Sequence, residues 1–207
     1  MAVLVYLVRH GETDWNRGAR IQGQQDIPLN ELGRRQAEAV AGYLKALRFG
    51  YDCIYCSDLA RARETAEIIA AQWGVEVVPR RDLRERNFGK LEGTTFQEAR
   101  ETYADLFRAY AEDPINTRFP DGESTWDLAA RAKGFLEYLR AEHSNEAVMV
   151  VTHGGFIRTL LALVLGLPLE HRDRLEVTNA GVSVVRLSED GDKVLAVNVT
   201  HHLAKVF

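Results

Sequence analysis

Short apolar runs alternate along the chain with longer stretches in which apolar residues recur at helical spacing. The apolar runs predict strands over Val3–Val8, Cys53–Cys56, Val75–Val78, Ala147–Thr152, Val182–Leu187 and Val194–Val199. Val3–Val8 and Ala147–Thr152 are apolar at consecutive positions, which is typical of parallel strands buried on both faces. Asp190-Gly191 separates the last two runs and predicts a hairpin, so the sheet should end in an antiparallel edge.

The stretches between the strands predict helices with recognisable ends. Asn30 is the expected N-cap of the first helix. The apolar stripe of that helix comprises Leu32, Val40, Tyr43, Leu44 and Leu47. Ser57-Asp58 should cap a second helix that reaches about Gln72, and Gly74 should end it. Further helices are expected over Ser124–Glu142 and from Gly154-Gly155 to Leu165.

The stretch Arg80–Glu123 differs from the rest because it is charged, rich in aromatic residues and without a strand pattern. One helix is expected there, from about Phe96 to Tyr110. Strands that alternate with helices, around one long insertion, predict a single domain over residues 1–207. The expected fold is a three-layer α/β/α sandwich with a mostly parallel, mixed sheet.

Composition excludes several classes of protein. The 207 residues are 46% hydrophobic and 27% charged, with 16 Gly and 5 Pro, which argues against a disordered, collagen-like or disulfide-scaffold chain. Lys and Arg number 26 and Asp and Glu 30, so there is no basic surplus for nucleic acid. The longest apolar stretch, Leu160–Leu169, is interrupted by Gly166 and Pro168 and is too short to span a membrane. We therefore expect a soluble, cytoplasmic protein.

Cys53 and Cys56 form a C-x-x-C motif, which invites a redox or zinc interpretation. Such sites need a helix N-terminus or a loop. In a strand, positions i and i+3 point to opposite faces. We therefore expect two buried free thiols.

Two of the predicted strands end alike, one in Arg9-His10-Gly11 and the other in Thr152-His153-Gly154-Gly155. Ligands of open α/β sheets bind beyond the carboxyl ends of the strands, so both histidines should face one crevice. Arg61, in the first turn of the helix after Cys53–Cys56, should lie near the same sheet end. Arg63 can pair with Glu67 four residues later, whereas Arg61 has no such partner.

Arg9, Arg61, His10 and His153 together predict an anion pocket, because guanidinium forks match phosphoryl oxygens. A zinc site on the two histidines is the alternative. It is disfavoured because no H-E-x-x-H or similar ligand spacing is present and because adjacent arginines oppose a dication. The sequence has no P-loop and no G-x-G-x-x-G after a strand. No metal and no cofactor are expected.

The segment Arg9–Asn16 resembles the R-H-G-E-T-x-x-N signature of the histidine phosphatase superfamily, the phosphoglycerate-mutase-like enzymes. Further motifs of this family are matched in order by Ile21-Gln22-Gly23, Ser57-Asp-Leu-x-Arg61-Ala-x-x-Thr65-Ala66, Leu83-Arg-Glu85, Asn87-Phe-Gly89, Glu92-Gly93, Asp121-Gly-Glu123 and Thr152-His153-Gly154. The resemblance covers nearly the whole chain and implies a phosphoglycerate-mutase-like fold.

The resemblance also implies residue roles. His10 would be the nucleophile that forms a phosphohistidine. Arg9, Arg61 and His153 would bind the phosphoryl group, with help from Asn16 and the Gly154 backbone. Glu85 would be the general acid and then the base, and without the resemblance it would be unremarkable among its charged neighbours. Gln22 and Gly23 complete the implied substrate-binding set.

The family contains phosphatases and mutases. The mutase pattern E-R-x-Y-G-x-L-x-G-L-N-K is replaced here by E-R-N-F-G-K-L-E-G-T-T-F, with Phe88 at the tyrosine position, and Gly155 stands where mutases carry Asn. These departures favour a metal-independent phosphomonoesterase acting on small metabolites, resembling broad-specificity, α-ribazole-phosphate and phosphoserine phosphatases. A cofactor-dependent phosphoglycerate mutase is the alternative. A non-catalytic phosphate sensor is disfavoured, because binding alone needs neither a nucleophile nor a general acid.

Specificity should come from a lid insertion at about residues 88–123. Its aromatic residues, expected to line an apolar vestibule, are Phe88, Phe96, Tyr103, Phe107, Tyr110 and Phe119. For Tyr103 and Phe107, packing of a helix face is an equally supported alternative. His201-His202 could reach the substrate, although a surface pair is the more common role. The expected partner is a small phosphomonoester, with neither nucleic acid nor membrane, and a homodimer stays open.

Overall fold

The computed structural model describes residues 2–47 and 50–206. Within these ranges one sheet has the strand order β3-β2-β4-β1-β5-β6. The strands are β1 (Ala2–Arg9), β2 (Cys53–Ser57), β3 (Val77–Arg80), β4 (Ala147–Thr152), β5 (Val182–Ser188) and β6 (Lys193–Val199). β1 to β4 are mutually parallel, whereas β5 and β6 pair antiparallel. The predicted mixed, mostly parallel sheet is confirmed.

Helices cover both faces of this sheet. The α-helices are α1 (Asp14–Arg17), α2 (Glu31–Ala46), α3 (Ala60–Ala70), α4 (Phe96–Thr102), α5 (Ala104–Glu112), α6 (Thr125–Glu142) and α7 (Gly154–Leu165). Short 3-10 helices span Arg81–Leu83, Gly89–Leu91, Leu169–Arg174 and His201–Lys205. None of the helices within the described ranges is long and apolar enough to cross a membrane.

The hydrophobic core lies in two layers, one on each face of the sheet. Alternate residues of β1 divide between them: Val5 and Leu7 pack with α6 and α7, whereas Tyr6 and Val8 pack with α2 and α3. This is the side-chain alternation that a pleated strand imposes. The three-layer α/β/α prediction is therefore confirmed.

The two cysteines follow the same alternation. Cys53 packs against the α6–α7 layer and Cys56 lies in the α2–α3 layer, and both are free thiols. Burial raises the pKa of Cys56 to about 12. Both thiols are free, as predicted, but only Cys56 is fully buried, whereas Cys53 near the start of β2 is half-buried.

The expected ends of α2 and α3 are partly wrong. Asn30 caps α2 as predicted and accepts a hydrogen bond from Gly33 N at 2.8 Å. Leu47 lies past the end of α2 and is exposed, so it does not belong to the buried stripe. Ser57-Asp58 does not cap α3. Instead, Asp26 Oδ1 accepts a hydrogen bond from Ala60 N at 2.6 Å.

The reason is that both expected capping side chains have other partners. Arg84 holds the Asp58 carboxylate through two hydrogen bonds of 2.7 Å, and Ser57 Oγ lies 2.8 Å from His153 Nε2. α3 ends at Ala70, a little before the expected Gln72, and Gly74 follows at φ +65°. β3 begins at Val77, two positions after the predicted start.

The insertion contains two helices where one was predicted. α4 and α5 are separated at Tyr103, whose φ of −120° and ψ of 44° leave the helical region. Tyr103 and Phe107 pack against a small separate cluster that includes the buried side chains of Leu91 and Phe119. This tertiary packing bends the segment, although its apolar spacing would suit one continuous helix.

Candidate active site

The carboxyl ends of β1 and β4 bring two histidines side by side. β1 and β4 are adjacent and parallel, with Arg9 paired to Thr152, so the next residues, His10 and His153, leave the sheet together. Their ring centroids are 5.2 Å apart, and both side chains are buried. The expected juxtaposition of these histidines is therefore present.

His10 is held as a neutral imidazole with one free ring nitrogen. Its Nδ1 lies 2.7 Å from the carbonyl oxygen of Gly11. A carbonyl can only accept, so Nδ1 carries the proton and Nε2 carries the lone pair. Burial holds the pKa of His10 well below its usual value, and the nearby Arg61 and Arg9 lower it further. Nε2 of His10 is thus unprotonated at neutral pH.

The loop after His10 is fixed from three directions. Asn179 Nδ2 donates to the carbonyls of His10 and Gly11 at 3.1 and 3.2 Å, and Thr65 Oγ1 accepts from Gly11 N at 3.1 Å. A side chain at Gly11 would overlap the backbone of Gly33 in the first turn of α2. Sequence reasoning missed Asn179, because its partners lie near the other end of the chain.

His153 is oriented by Ser57 at the end of β2. Its Nε2 lies 2.8 Å from Ser57 Oγ, while its Nδ1 is buried and has no hydrogen-bond partner among the described residues. Burial lowers the pKa of His153 well below its usual value, and the charge of Arg61 adds to this effect. The site therefore holds a second neutral imidazole with a ring nitrogen available for a ligand.

Arg9 and Arg61 supply positive charge that neutral acceptors do not compensate. Arg61 donates to the carbonyls of Gln25 and Gly23 at 2.8 and 2.7 Å, and Arg9 donates to the carbonyl of Val177 at 2.8 Å. In both, Nε is buried and has no hydrogen-bond partner within residues 2–47 and 50–206. Burial is the main cause that lowers the pKa of each to about 10, so both stay charged at neutral pH.

Glu85 lies beside this pocket at the N-terminus of α7. Its Oε1 accepts from Arg86 N and its Oε2 from Gly155 N, each at 2.9 Å. A Cβ at Gly155 would overlap Glu85 Oε1 and would come within 3.0 Å of Glu85 Cδ. Position 155 must therefore lack a side chain for the carboxylate to occupy this place. Sequence reasoning used Gly155 as part of a helix start and as a difference between family branches, but did not connect it with Glu85.

Arg131 of α6 holds the loop that carries Glu85. Its guanidinium donates to the carbonyls of Asp82, Arg84 and Glu85 at 2.8, 2.9 and 3.2 Å. It also forms a two-point pair with the carboxylate of Glu123, with both distances 2.9 Å. No pattern in the sequence distinguished Arg131 from the other charged residues of its helix.

The remaining predicted binding residues surround the pocket. Asn16 Oδ1 accepts from Thr13 N and from Asn179 Nδ2, and Gln22 Oε1 accepts from Thr13 Oγ1 at 3.0 Å. Gly23 contributes the carbonyl that holds Arg61. Gly154 lies against Arg9, whose Nε would be 3.4 Å from a Cβ at position 154. The structure thus brings all the predicted site residues to one end of the sheet.

An aromatic cavity of about 260 Å³ adjoins Glu85 and Gly155. Of the aromatic residues expected to form a vestibule, Phe88, Phe96, Phe107, Tyr110 and Phe119 line it. Tyr103 belongs to the cluster behind this wall. His201 and His202 lie elsewhere, packed on the Tyr43 ring at centroid distances of 4.6 and 5.0 Å.

In the part of the chain that the structure describes, no three His, Cys, Asp or Glu side chains form a group suited to a metal ion. Arg63 and Glu67 form an exposed ion pair, with Nε and Oε1 2.8 Å apart, as the i,i+4 spacing predicted.

Comparison with known proteins gives consistent matches over most of the chain. A family model described as "Histidine phosphatase superfamily (branch 1)" matches residues 5–200. The chain is 40% identical over 192 residues to Phosphoglycerate mutase-like protein 4 of Arabidopsis thaliana, covering 91% of this chain and 81% of that protein. It is 36% identical over 205 residues to Phosphoserine phosphatase 1 of Hydrogenobacter thermophilus, covering 99% and 96%. A mutant phosphoserine phosphatase from Entamoeba histolytica, solved with phosphoserine, superposes with a TM-score of 0.86 at 29% identity, covering 97% and 99%.

Proposed function

Because the chain belongs to the histidine phosphatase superfamily, we propose that it is a metal-independent phosphomonoesterase that hydrolyses small phosphorylated metabolites through a phosphohistidine on His10. The observation that carries this proposal is the hydrogen bond from His10 Nδ1 to Gly11 O, which leaves Nε2 unprotonated in the field of Arg61 and Arg9. A neutral imidazole beside two cations whose hydrogen-bond acceptors are neutral carbonyls suits phosphoryl transfer to nitrogen.

In the first step, Nε2 of His10 attacks phosphorus while the bond from phosphorus to the ester oxygen breaks. Protonated Glu85 gives its proton to the departing alkoxide. Arg9 and Arg61 bind the phosphoryl oxygens and offset the charge that spreads over them. If Ser57 donates to His153 Nε2, the proton of His153 is on Nδ1 and is available to a phosphoryl oxygen.

In the second step, a water molecule replaces the alcohol. Glu85, now a carboxylate, takes one proton from this water as its oxygen attacks phosphorus. The bond from phosphorus to His10 Nε2 breaks, inorganic phosphate leaves, and Glu85 is protonated again. The two backbone N–H groups that hold the Glu85 oxygens keep the carboxyl beside the ester oxygen in both steps.

Hydrolysis of an aryl phosphate with a chelator present tests this mechanism. Wild type should turn over and His10→Ala should not. Quenching during turnover with an alkaline denaturant should trap an acid-labile, base-stable phosphoryl adduct on His10, detected by mass spectrometry at alkaline pH. Full activity in His10→Ala, or complete loss of wild-type activity on chelation, would contradict the proposal.

The mutase alternative is supported by the mutase-like names of several relatives, among them the Arabidopsis protein. Two features support hydrolysis instead: Phe88 offers no hydroxyl to a substrate in the cavity, and position 155 carries no side chain. Incubation of 3-phosphoglycerate with catalytic bisphosphoglycerate separates them. Free phosphate should exceed 2-phosphoglycerate, and the reverse would favour the mutase.

We also propose that residues 88–123 act as a lid that selects the substrate. The aromatic cavity supports this role, because six of its lining residues come from this segment and Glu85 forms part of the same wall. The alcohol part of a substrate whose phosphate lies at His10 would project toward these rings.

A further inference from the structure

Arg172 is a buried cation with an unsatisfied side-chain nitrogen in the part of the chain that the structure describes. Only 7% of the residue is exposed, and its Nε has no hydrogen-bond partner among the described residues. Asp173 Oδ1 lies 3.7 Å from Nε, beyond hydrogen-bond distance, and Asp173 itself is exposed. Burying a charged donor without an acceptor is costly, so such a group in a folded protein calls for an explanation.

Three buried nitrogen atoms of the phosphoryl pocket have no hydrogen-bond partner among the described residues: Arg9 Nε, Arg61 Nε and His153 Nδ1. Arg172 Nε shares this property, as does His202 Nδ1 near Tyr43. In the phosphoryl pocket, the proposed substrate would supply the missing hydrogen-bond partners of these nitrogen atoms. Arg172 lines the aromatic cavity that also contains Glu85 and Gly155, so the same explanation extends to it.

Arg158 connects the phosphoryl pocket with the aromatic cavity. Arg158 lies on α7 three residues after Gly155, lines the same cavity as Arg172, and is close enough to Arg9 to lower its pKa. Its Nε donates to the carbonyl of Leu175 at 3.1 Å. A continuous positively charged wall therefore runs from Arg9, past Arg158, into the cavity.

The cavity carries more positive than negative charge. Its lining contains the four cations Arg86, Arg100, Arg158 and Arg172, but only the two carboxylates Glu85 and Asp173. The hydrogen-bond acceptors of Arg86 are neutral, namely two carbonyls and a hydroxyl, and its guanidinium carbon stands 4.3 Å from the centroid of the Phe119 ring. Neither contact neutralises its charge.

We propose that Arg172 binds a carboxylate at the far end of the substrate, so that the preferred substrates are short phosphomonoesters that carry a carboxylate on the alcohol part. This rests on the proposed phosphatase function. A planar guanidinium fork suits a carboxylate. The phosphoryl group already has two arginines and two imidazoles, whereas the second site has one arginine with an unpartnered nitrogen. A cavity of about 260 Å³ has room for the alcohol part of a small metabolite.

The test compares two substrates that differ only in the distal group: the phosphate ester of 3-hydroxypropanoate and n-propyl phosphate. Wild type should prefer the carboxylate in kcat/KM. Arg172→Met should lower kcat/KM for the carboxylate substrate by about 10- to 100-fold, the effect of one charge-assisted hydrogen bond, and should change n-propyl phosphate about twofold at most. Arg172→Lys should recover part of the loss. Arg174→Met, a change of an exposed arginine in the same 3-10 helix, is the matched control and should behave as wild type.

A structural role for Arg172 predicts a different result. Because Nε has no hydrogen-bonded partner to lose, Arg172→Met should keep or raise the melting temperature. A lowered melting temperature, with equal loss on both substrates, would overturn the proposal. The bisphosphate of 1,3-propanediol is the third substrate, and a larger Arg172-dependent preference for it than for the carboxylate would overturn the carboxylate assignment.

Binding measurements test the carboxylate site independently of the proposed phosphatase function. Calorimetry with 4-phosphonobutyrate and butylphosphonate needs no turnover. If the phosphonobutyrate binds wild type more tightly than butylphosphonate does, and Arg172→Met abolishes this difference, the carboxylate site is supported. That conclusion holds even if wild type hydrolyses neither ester, because failure of hydrolysis would refute only the phosphatase function. Equal binding of the two phosphonates would overturn the inference whatever the hydrolytic activity.

Discussion

Replacement of Gly155 by alanine tests how strictly the site places Glu85. The added Cβ would overlap Glu85 Oε1 and would lie 3.0 Å from Cδ and 3.2 Å from Oε2, where ordinary contact begins at 3.4 Å. The neighbouring atom is the end of a flexible side chain, so the carboxylate should withdraw while the backbone of α7 stays in place. Removal of the overlap requires a shift of about 1 Å, a displacement that costs on the order of 100-fold in rate when it misplaces a catalytic group.

The loss should depend on the leaving group. An alkoxide needs a proton from Glu85, whereas p-nitrophenolate leaves readily without one. We therefore expect kcat/KM of Gly155→Ala to fall on the order of 100-fold for an alkyl phosphate and only a few-fold for p-nitrophenyl phosphate. The assay is phosphate release from both substrates at saturating and limiting concentrations, with thermal denaturation measured in parallel.

Gly134→Ala is the matched control. A Cβ at Gly134, within α6, would meet nothing within 4 Å. This variant should keep wild-type activity on both substrates, and the better helix propensity of alanine should stabilise it by about 1 kcal/mol. An equal loss on both substrates in Gly155→Ala, or no loss on the alkyl phosphate, would refute the placement of Glu85 as the proton donor.

The other predictions concern the cations, the histidines and the loop that carries the acid. Arg61→Ala should lower kcat/KM for any phosphomonoester by at least about 100-fold, as expected for a group that stabilises transition-state charge. The matched change Arg63→Ala, on the exposed side of the same helix, should leave steady-state rates unchanged, and a similar loss in both would contradict the pocket assignment. The depressed pKa values of His10 and His153 predict that the unfolded chain binds more protons than the native chain below about pH 6.5. Chemical denaturation should therefore give a free energy of unfolding that falls as pH decreases from 7 to 5. This fall should be smaller in His10→Asn. An equal dependence on pH in the two proteins would count against a buried neutral His10. Arg131→Met should lower the free energy of unfolding by about 3 kcal/mol, because its side chain and its carboxylate partner are only 21% and 19% exposed and the carboxylate would lose its pair. It should also reduce kcat more than it changes KM. Urea denaturation measures the loss of stability and steady-state kinetics measures kcat; an unchanged kcat would exclude a positioning role for Arg131.

Local pattern accounts for the elements that the sequence predicted correctly. β4 and α7 have the expected bounds because a two-sided apolar strand runs directly into a Gly-Gly helix start. The hairpin of β5 and β6 follows from the Asp190-Gly191 turn between two β-branched runs. In each case the signal lies within a few residues of the structure that it determines.

The wrong predictions concern features that depend on distant partners. The cap of α3 comes from Asp26, 34 positions away, because the Asp58 carboxylate is hydrogen-bonded to Arg84 and the Ser57 hydroxyl to His153. The break at Tyr103 accompanies packing against the cluster that contains Leu91 and Phe119, which α-helical periodicity alone does not report.

The sequence by itself determined the alternation of strands and helices, the mixed sheet and the residues His10, Arg9, Arg61 and His153, because strand ends and charge-bearing residue types are local properties. Glu85 was identified only through resemblance to a family. Tertiary structure alone decided how these residues are held and made reactive. Asn179 reaches the His10 carbonyl across 169 positions, and the pKa of His10 is lowered chiefly by burial, which exists only after folding. Periodicity shows which face of an element is buried, but the partner on that face is set by long-range packing, and so Asn179, Arg131, Gly155 and Arg172 became visible only in the folded chain.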